Sequence, residues 1–204
     1  MKHQRIQERT FYLADTIHVA KHLLGKVLVH ETSEGMCSGI ITETEAYGGA
    51  KDPACHSYNN RRTKRTETMF AIGGTLYVYM VYGMYYCMNV VTRNLDQPEA
   101  VLIRSIEPLE GIELMIQRRN ILIQQPKHLV RLTNGPGKTA QALGIQKEHN
   151  GIDLCGEELY IGIPFPQPHF DIVERPRIGI DYAGEAKNYL WRYYIKGNPY
   201  VSNP

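Results

Sequence analysis

The chain has 204 residues, 43% of them hydrophobic, and 23 Lys and Arg against 21 Asp and Glu give a formal net charge of +2. That is apolar material for one domain over residues 1–204, with no Pro, Gly or Ser-rich linker, and a charge too mild to require a polyanionic partner. No apolar run reaches the ~20 residues that cross a bilayer, the polar start MKHQRIQERT lacks a secretory pattern, and four widely spaced cysteines read as free thiols, so an intracellular protein is expected.

Residues 11–24 (FYLADTIHVAKHLL) have helical periodicity and predict one amphipathic helix, with Asp15 or Thr16 as candidate cap and Gly25 as stop. Residues 26–30 and 37–47 predict strands joined by a polar turn at Ser33, Glu34 and Gly35. Residues 48–65 are rich in Gly, Asp, Pro, Asn and Arg and predict a long irregular segment, a kind of loop that is usually functional or disordered.

Residues 74–89 (GTLYVYMVYGMYYCMN) hold five of the fourteen tyrosines and no charge. Alternation puts Tyr77, Tyr79 and Val81 on one face and Leu76, Val78 and Met80 on the other. Tyr82-Gly83-Met84 forms the corner of a hairpin, where glycine can take φ > 0. Turn tips favour small polar residues, so the large ring of Tyr82 suggests a wedge or stacking surface. Cross-strand packing in the sheet is the ordinary reading for Tyr77, Tyr85 and Tyr86.

Residues 100–106 predict a strand, and a helix is expected from Pro108 and Leu109 through GIELMIQRRN. Residues 124–133 fit no single element, and residues 134–144 (NGPGKTAQALG) predict a turn feeding a short helix. G-P-G-K lacks the G-x-x-x-x-G-K-[ST] spacing of a triphosphate loop, although a helix N-terminus there could face a phosphate. Short strands are expected at 159–163, 177–180 and 191–195, around a proline-rich loop at 164–168. The mixed order of strands and helices predicts an α+β fold.

In ITETEAY the two-residue period places Ile41, Glu43, Glu45 and Tyr47 on one face, and Thr42, Thr44 and Ala46 on the other. Two glutamates side by side repel unless a cation or a reacting group stands opposite; a solvated face is the bland alternative. Arg104 interrupts AVLIRSI on the face of Leu102 and Ile106, and a carboxylate in a neighbouring strand explains it most simply. Two basic regions, Arg61, Arg62, Lys64, Arg65 and Arg118, Arg119, Lys127, His128, Arg131, could neutralise phosphates or simply be solvated. The eight histidines show no zinc-ligand spacing, so neither metal nor cofactor is expected.

A carboxylate to activate water, an arginine beside it, tyrosines to stack a flat ring and an aromatic tip are the parts needed to extrude and cut out a nucleobase. The strings ITETEAY, DPACHS, GTLYVYMVYGMYYCMN, LIRSIEPLEG, NGPGKTAQALGI and RIGIDYAGEA, in this order, resemble the alkyladenine (3-methyladenine) DNA glycosylase family, of methylpurine-DNA glycosylase type, over roughly residues 20–202. The resemblance implies a monomeric, monofunctional glycosylase of base excision repair acting on double-stranded DNA with damaged purines. Its expected fold is a curved, mostly antiparallel sheet flanked by helices, with a protruding tyrosine-rich hairpin.

By the same resemblance Glu45 is the catalytic base, and Arg104 and the Ile178 backbone carbonyl hold the water. Tyr47, His56, Tyr79 and Asn89 form the base pocket, while Tyr82 intercalates in the DNA with Met84 beside it. If Tyr79 and Asn89 both face the base, the hairpin needs a three-residue loop, pairing 81 with 85, 79 with 87 and 77 with 89. A non-catalytic protein recognising distorted DNA is the alternative. A carbohydrate-active enzyme fits less well, because Glu43 and Glu45 lie on one side of a bond rather than across it.

Overall fold

The computed structural model describes residues 1–204. Its first half runs β1 (His3–Arg5), α1 (Thr10–Leu13), α2 (Thr16–Leu23), β2 (Val27–Thr32), β3 (Gly35–Tyr47), β4 (Leu76–Val81) and β5 (Tyr85–Thr92). The second half runs β6 (Glu99–Glu110), α3 (Ile112–Arg119), α4 (Pro136–Leu143), β7 (Leu159–Pro164), β8 (Ile172–Arg175) and β9 (Arg192–Ile195). The strands form one open nine-stranded sheet, in the order β1-β7-β2-β3-β6-β5-β4. β9 pairs with the C-terminal part of β3 and carries β8 on its other side, and all pairs are antiparallel. The fold is α+β, and no helix is long and apolar enough to cross a membrane.

The helices supply the main core. Val19, Ala20 and Leu23 of α2, Met115 of α3 and Ala140 and Leu143 of α4 pack with Leu76, Val90, Ile103 and Ile106 of the sheet. Full burial of each Leu or Ile contributes about 1.5–3 kcal/mol, so this face can carry stability and leave the other to polar work. On the opposite face Cys55, Met69, Phe70, Tyr77, Val91 and Ala100 form a smaller cluster. It pins residues 48–70, which fold as three 3₁₀ turns. All four cysteines are free.

Several expectations are corrected. Residues 11–24 form two helices, because the Asp15 carboxylate caps the Ile17 and His18 N–H groups while Ala14 and Asp15 take extended backbone. The strand at 100–106 runs on to Glu110 through Pro108, so α3 starts only after Gly111, at φ 74°, turns the chain. No strand forms at 177–180; β8 ends at Arg175, and the Ile178 N–H is spent on a carboxylate instead of a ladder. Tyr85 is 41% exposed rather than packed in the sheet. It lies over Gly137 of α4, where a Cβ would stand 3.1 Å from that of Tyr85.

Two bulges decide which side chains face the open side. Ile41 pairs with Ile106, Glu43 with Ser105 and Thr44 with Ile103, so Thr42 is the extra residue in β3 and Arg104 the extra residue in β6. Ile41 and Ile106 therefore join the main core, not the face of Glu43, Glu45 and Arg104.

Candidate active site

The paired bulges gather four charges beneath the open face: Glu43 and Glu45 from β3, Arg104 from β6 and Arg192 from β9. Both glutamates are 0% exposed, and a buried charge is tolerated only with partners in good geometry. Glu43 accepts from Arg104 Nε at 3.0 Å, Arg192 Nη1 at 2.8 Å, the Ser105 hydroxyl at 3.3 Å, and the Ser202 N–H and hydroxyl at 2.7 and 3.0 Å. Burial alone pushes its pKa up, but Arg104, Ser202 and Arg192 together outweigh that and hold it below the ordinary carboxylate range.

Glu45 is held differently. The Ile178 N–H donates to Oε1 at 2.8 Å, the Tyr47 hydroxyl donates to Oε2 at 2.8 Å, and Arg104 Nη1 stands 3.2 Å from Oε1. Arg104 thus bridges the two carboxylates. A carboxylate offers about four lone-pair sites, so Glu43 is saturated while Glu45 keeps accepting capacity. The Ile178 carbonyl accepts no hydrogen bond within the protein; it is the Ile178 amide that faces Glu45.

Above this network lies a cavity of ≈ 320 Å³ whose wall includes Tyr47, His56, Tyr79, Asn89, Arg104 and Ile178. Glu45 sits just behind that wall, screened by Tyr47, Arg104 and Ile178. The hairpin pairs Val81 with Tyr85, Tyr79 with Cys87 and Tyr77 with Asn89, as a three-residue loop requires. Tyr77, Tyr79, Val81, Cys87 and Asn89 consequently face the cavity, and Leu76 and Val78 face the main core. At the rim Tyr82 is 91% exposed with φ 53°. Met84 is exposed as well, but borders a second cavity.

Apart from Arg104, the side chains of the cavity wall are uncharged at neutral pH. Burial, with Glu45 next, pushes the Tyr47 hydroxyl well above its ordinary pKa, and burial does the same to Tyr79. His56 Nδ1 lies 3.0 Å from the Tyr77 hydroxyl, and its ring meets Tyr79 edge-on at 4.6 Å. Burial, followed by Arg65 and Arg61, pushes the His56 pKa down to about 4, which keeps the ring uncharged at neutral pH. Its backbone N–H donates to no protein group. Asn89 is held by its amide, which donates to the Tyr77 carbonyl at 3.1 Å.

The sequence reading missed a second buried pair. Arg177 Nη2 donates to Asp52 Oδ1 at 2.8 Å, and both side chains are sealed from solvent. The same guanidinium lies over Tyr47 at 4.8 Å and Trp191 at 5.0 Å, and donates to the Ala46 carbonyl at 3.0 Å. It therefore sets the position of both Tyr47 and its own neighbour Ile178. Arg192 and Ser202 were missed too; in sequence nothing separates a buried charge or hydroxyl from a solvated one. Among the basic regions, Arg118 is committed to Glu34 at 2.7 Å and Arg119 to Gln141 at 2.6 Å. Arg62 is paired with Glu67 and Asp96, whereas Arg61, Lys64, Lys127 and Arg131 stay exposed.

The family profile described as "Methylpurine-DNA glycosylase (MPG)" matches residues 10–199. A protein of Clostridium acetobutylicum is 54% identical over 197 residues, spanning 95% of this chain and 96% of its own. One of Desulfitobacterium hafniense is 51% identical over 197 residues, spanning 95% and 97%, and one of Clostridium novyi is 50% identical over 200, spanning 95% and 96%. All three carry the name "Putative 3-methyladenine DNA glycosylase". With agreement from the first helices to the last strand, this chain belongs to the methylpurine-DNA glycosylase family.

Proposed function

We propose that this protein is a monofunctional DNA glycosylase of base excision repair, which flips an alkylated or deaminated purine out of duplex DNA and hydrolyses its N-glycosidic bond. The observation that carries this reading is Glu45: a fully buried carboxylate, held by three donors, directly behind an aromatic cavity with an exposed tyrosine at its mouth. A cavity of ≈ 320 Å³ is at the small end of ligand sites, suited to one flat heterocycle and not to a base pair. Duplex DNA can therefore present a base only by extrusion.

Extrusion costs a few kcal/mol of pairing and stacking, and each aromatic–base stack returns ~1–3 kcal/mol. Tyr47 and Tyr79 sandwich the purine, while Tyr82 fills the gap left in the duplex with Met84 beside it. As the nucleotide docks, water enters between Tyr47, Arg104 and Ile178, where Arg104 and the free Ile178 carbonyl orient it. Glu45 takes its proton as the oxygen bonds to C1′, and the C1′–N electron pair leaves with the base. An alkylated purine is already cationic, attracts the electron-rich rings and departs neutral without acid help. Hypoxanthine must be protonated as it departs.

Selectivity follows from the same wall. The unpaired His56 N–H welcomes an acceptor at the purine six-position, as in hypoxanthine, and opposes the amino group of adenine. Asn89 crowds the two-amino group of guanine. No lysine lines the cavity, so no Schiff base forms, and the product is an abasic site in an uncut strand.

The test is release of free base from duplexes carrying 3-methyladenine, 7-methylguanine, hypoxanthine or ethenoadenine. Glu45→Gln stays folded and retains lesion-duplex binding, at some cost in melting temperature because Arg104 loses one of its two carboxylates, while base release falls by about 10²–10⁴. Release at the wild-type rate in that variant removes Glu45 from the mechanism. No free base from any of the four duplexes would leave only recognition of distorted DNA.

A further inference from the structure

Away from the aromatic cavity, whose walls they do not share, His30, His149 and Glu158 converge. No spacing in the sequence announces them; β2, a 3₁₀ turn (Lys147–His149) and the segment entering β7 bring them together. His30 is 0% exposed, and its Nδ1 lies 2.7 Å from the Leu143 carbonyl. A carbonyl only accepts, so Nδ1 carries the proton and neutral His30 presents a lone pair at Nε2. That buried Nε2 has no hydrogen-bond partner, a destabilising arrangement unless something else occupies the lone pair.

What Nε2 faces is a set of metal donors. Glu158 Oε1 lies 3.9 Å from His30 Nε2 and 3.9 Å from His149 Nε2, and the three donor atoms are all within 4.8 Å of one another. Ligands about 2.1 Å from a tetrahedral ion stand about 3.4 Å apart, so the gap between the two imidazole nitrogens, the widest of the three, closes by about 1.4 Å through the partly exposed His149 ring, and each gap to the carboxylate closes by about half an ångström. The Glu158 side chain is 59% exposed and free to make that movement. A cavity of ≈ 600 Å³ bordered by His30 and His149 provides an entry path and room for a water ligand.

We propose that His30, His149 and Glu158 bind a divalent transition-metal ion of the zinc class, with water in the fourth position, as a clasp between β2, the Lys147–His149 turn and the start of β7. Two imidazoles and one carboxylate suit zinc, whereas magnesium and calcium take oxygen ligands. The Leu143 carbonyl already fixes the His30 ring, as an outer partner of a ligating histidine does. His149 Nδ1 faces the Gln146 N–H at 2.9 Å and the Gln146 carbonyl at 3.3 Å. On binding, the His149 proton moves from Nε2 to Nδ1, the hydrogen bond that Nδ1 accepts from the Gln146 N–H is given up, and Nδ1 donates to the Gln146 carbonyl instead; no proton is gained or lost.

The experiment uses the full chain, stripped by a chelator and titrated with Zn²⁺ against a chromophoric chelator, and separately with Co²⁺. One ion per chain is expected, with the intense visible absorption of four-coordinate Co²⁺ and a melting temperature that rises with Zn²⁺ concentration. His149→Ala and Glu158→Gln, at partly or well exposed positions that leave the core intact, weaken Zn²⁺ binding by about tenfold or more and remove the Co²⁺ bands. His18 and His22, stacked at 3.8 Å on α2, are the competing surface site, and His22→Ala leaves binding unchanged. The proposal is overturned if no ion is retained, if binding survives both His149→Ala and Glu158→Gln, or if His22→Ala alone abolishes it.

Discussion

Glu43 and Glu45 stand two residues apart on one strand, equally buried, and their environments differ in kind. Glu43 is enclosed by two guanidiniums and three donors from Ser105 and Ser202, which marks it as a fixed counter-charge for Arg104 and Arg192. Its folded-state pKa lies below the ordinary 4.5. Stability from this group is thus fully present above pH 4.5 and is lost as pH falls through the folded value. Glu43→Gln should cost about 3 kcal/mol at pH 7, because it leaves buried cations uncompensated. It should also flatten the acid limb of stability below pH 4.5. Urea denaturation at pH 7 and about pH 3 checks both, and an unchanged acid limb would show that other carboxylates dominate it.

At the scale of elements, the hairpin and the paired bulges divide what a single strand pattern can and cannot reveal. Tyr82 adopts φ 53° at 91% exposure, a left-handed backbone that disfavours a bulky residue and gains nothing from burial. Tyr82→Gly should raise stability by about 1 kcal/mol and slow base release from duplex DNA by about tenfold or more, since one stacking contact is lost. Thermal unfolding and single-turnover base release measure the two; lost stability with retained activity would contradict a wedge.

Alternation within residues 76–81 foretells which tyrosines share a face, because a hairpin's register follows from its own loop length. The same alternation sends Ile41 and Ile106 to the wrong side, because a bulge is a property of how two strands pair and neither strand's pattern contains it. The break at Ala14 is missed for a local reason: Asp15 offers its carboxylate to the following N–H groups, and that competes with a continuous helix. At Tyr85 the deciding fact is the missing side chain of Gly137, which lets α4 approach from a distant part of the chain.

At the scale of the molecule, the Asp52–Arg177 pair ties the segment between β3 and β4 to the segment between β8 and β9. Breaking a buried pair from one side costs about 3–5 kcal/mol, whereas removing both charges costs far less. Asp52→Asn should therefore destabilise by about 3 kcal/mol and slow base release by loosening Tyr47 and Ile178. Asp52→Asn combined with Arg177→Met should recover much of the stability and little of the activity. A double-mutant cycle by urea denaturation reads the coupling; additive single effects would mean the pair is not a tie. Charged loop residues are opaque in sequence for the same reason: their worth depends on a partner more than a hundred positions away.

The donors around Glu43 and Glu45 also impose an order of events. Ile178, Arg192 and Ser202 come from the final stretch of the chain, while the carboxylates they hold are laid down in its first quarter. A nascent chain that has completed β3 and β6 but not yet made β9 has both glutamates, Arg104 as their single cation, and only the Ser105 and Tyr47 hydroxyls besides. Closure of this charge cluster thus waits for residues 178–202, and a polypeptide interrupted before Ser202 carries the exposed Tyr82 above a Glu43 that lacks both Ser202 donors.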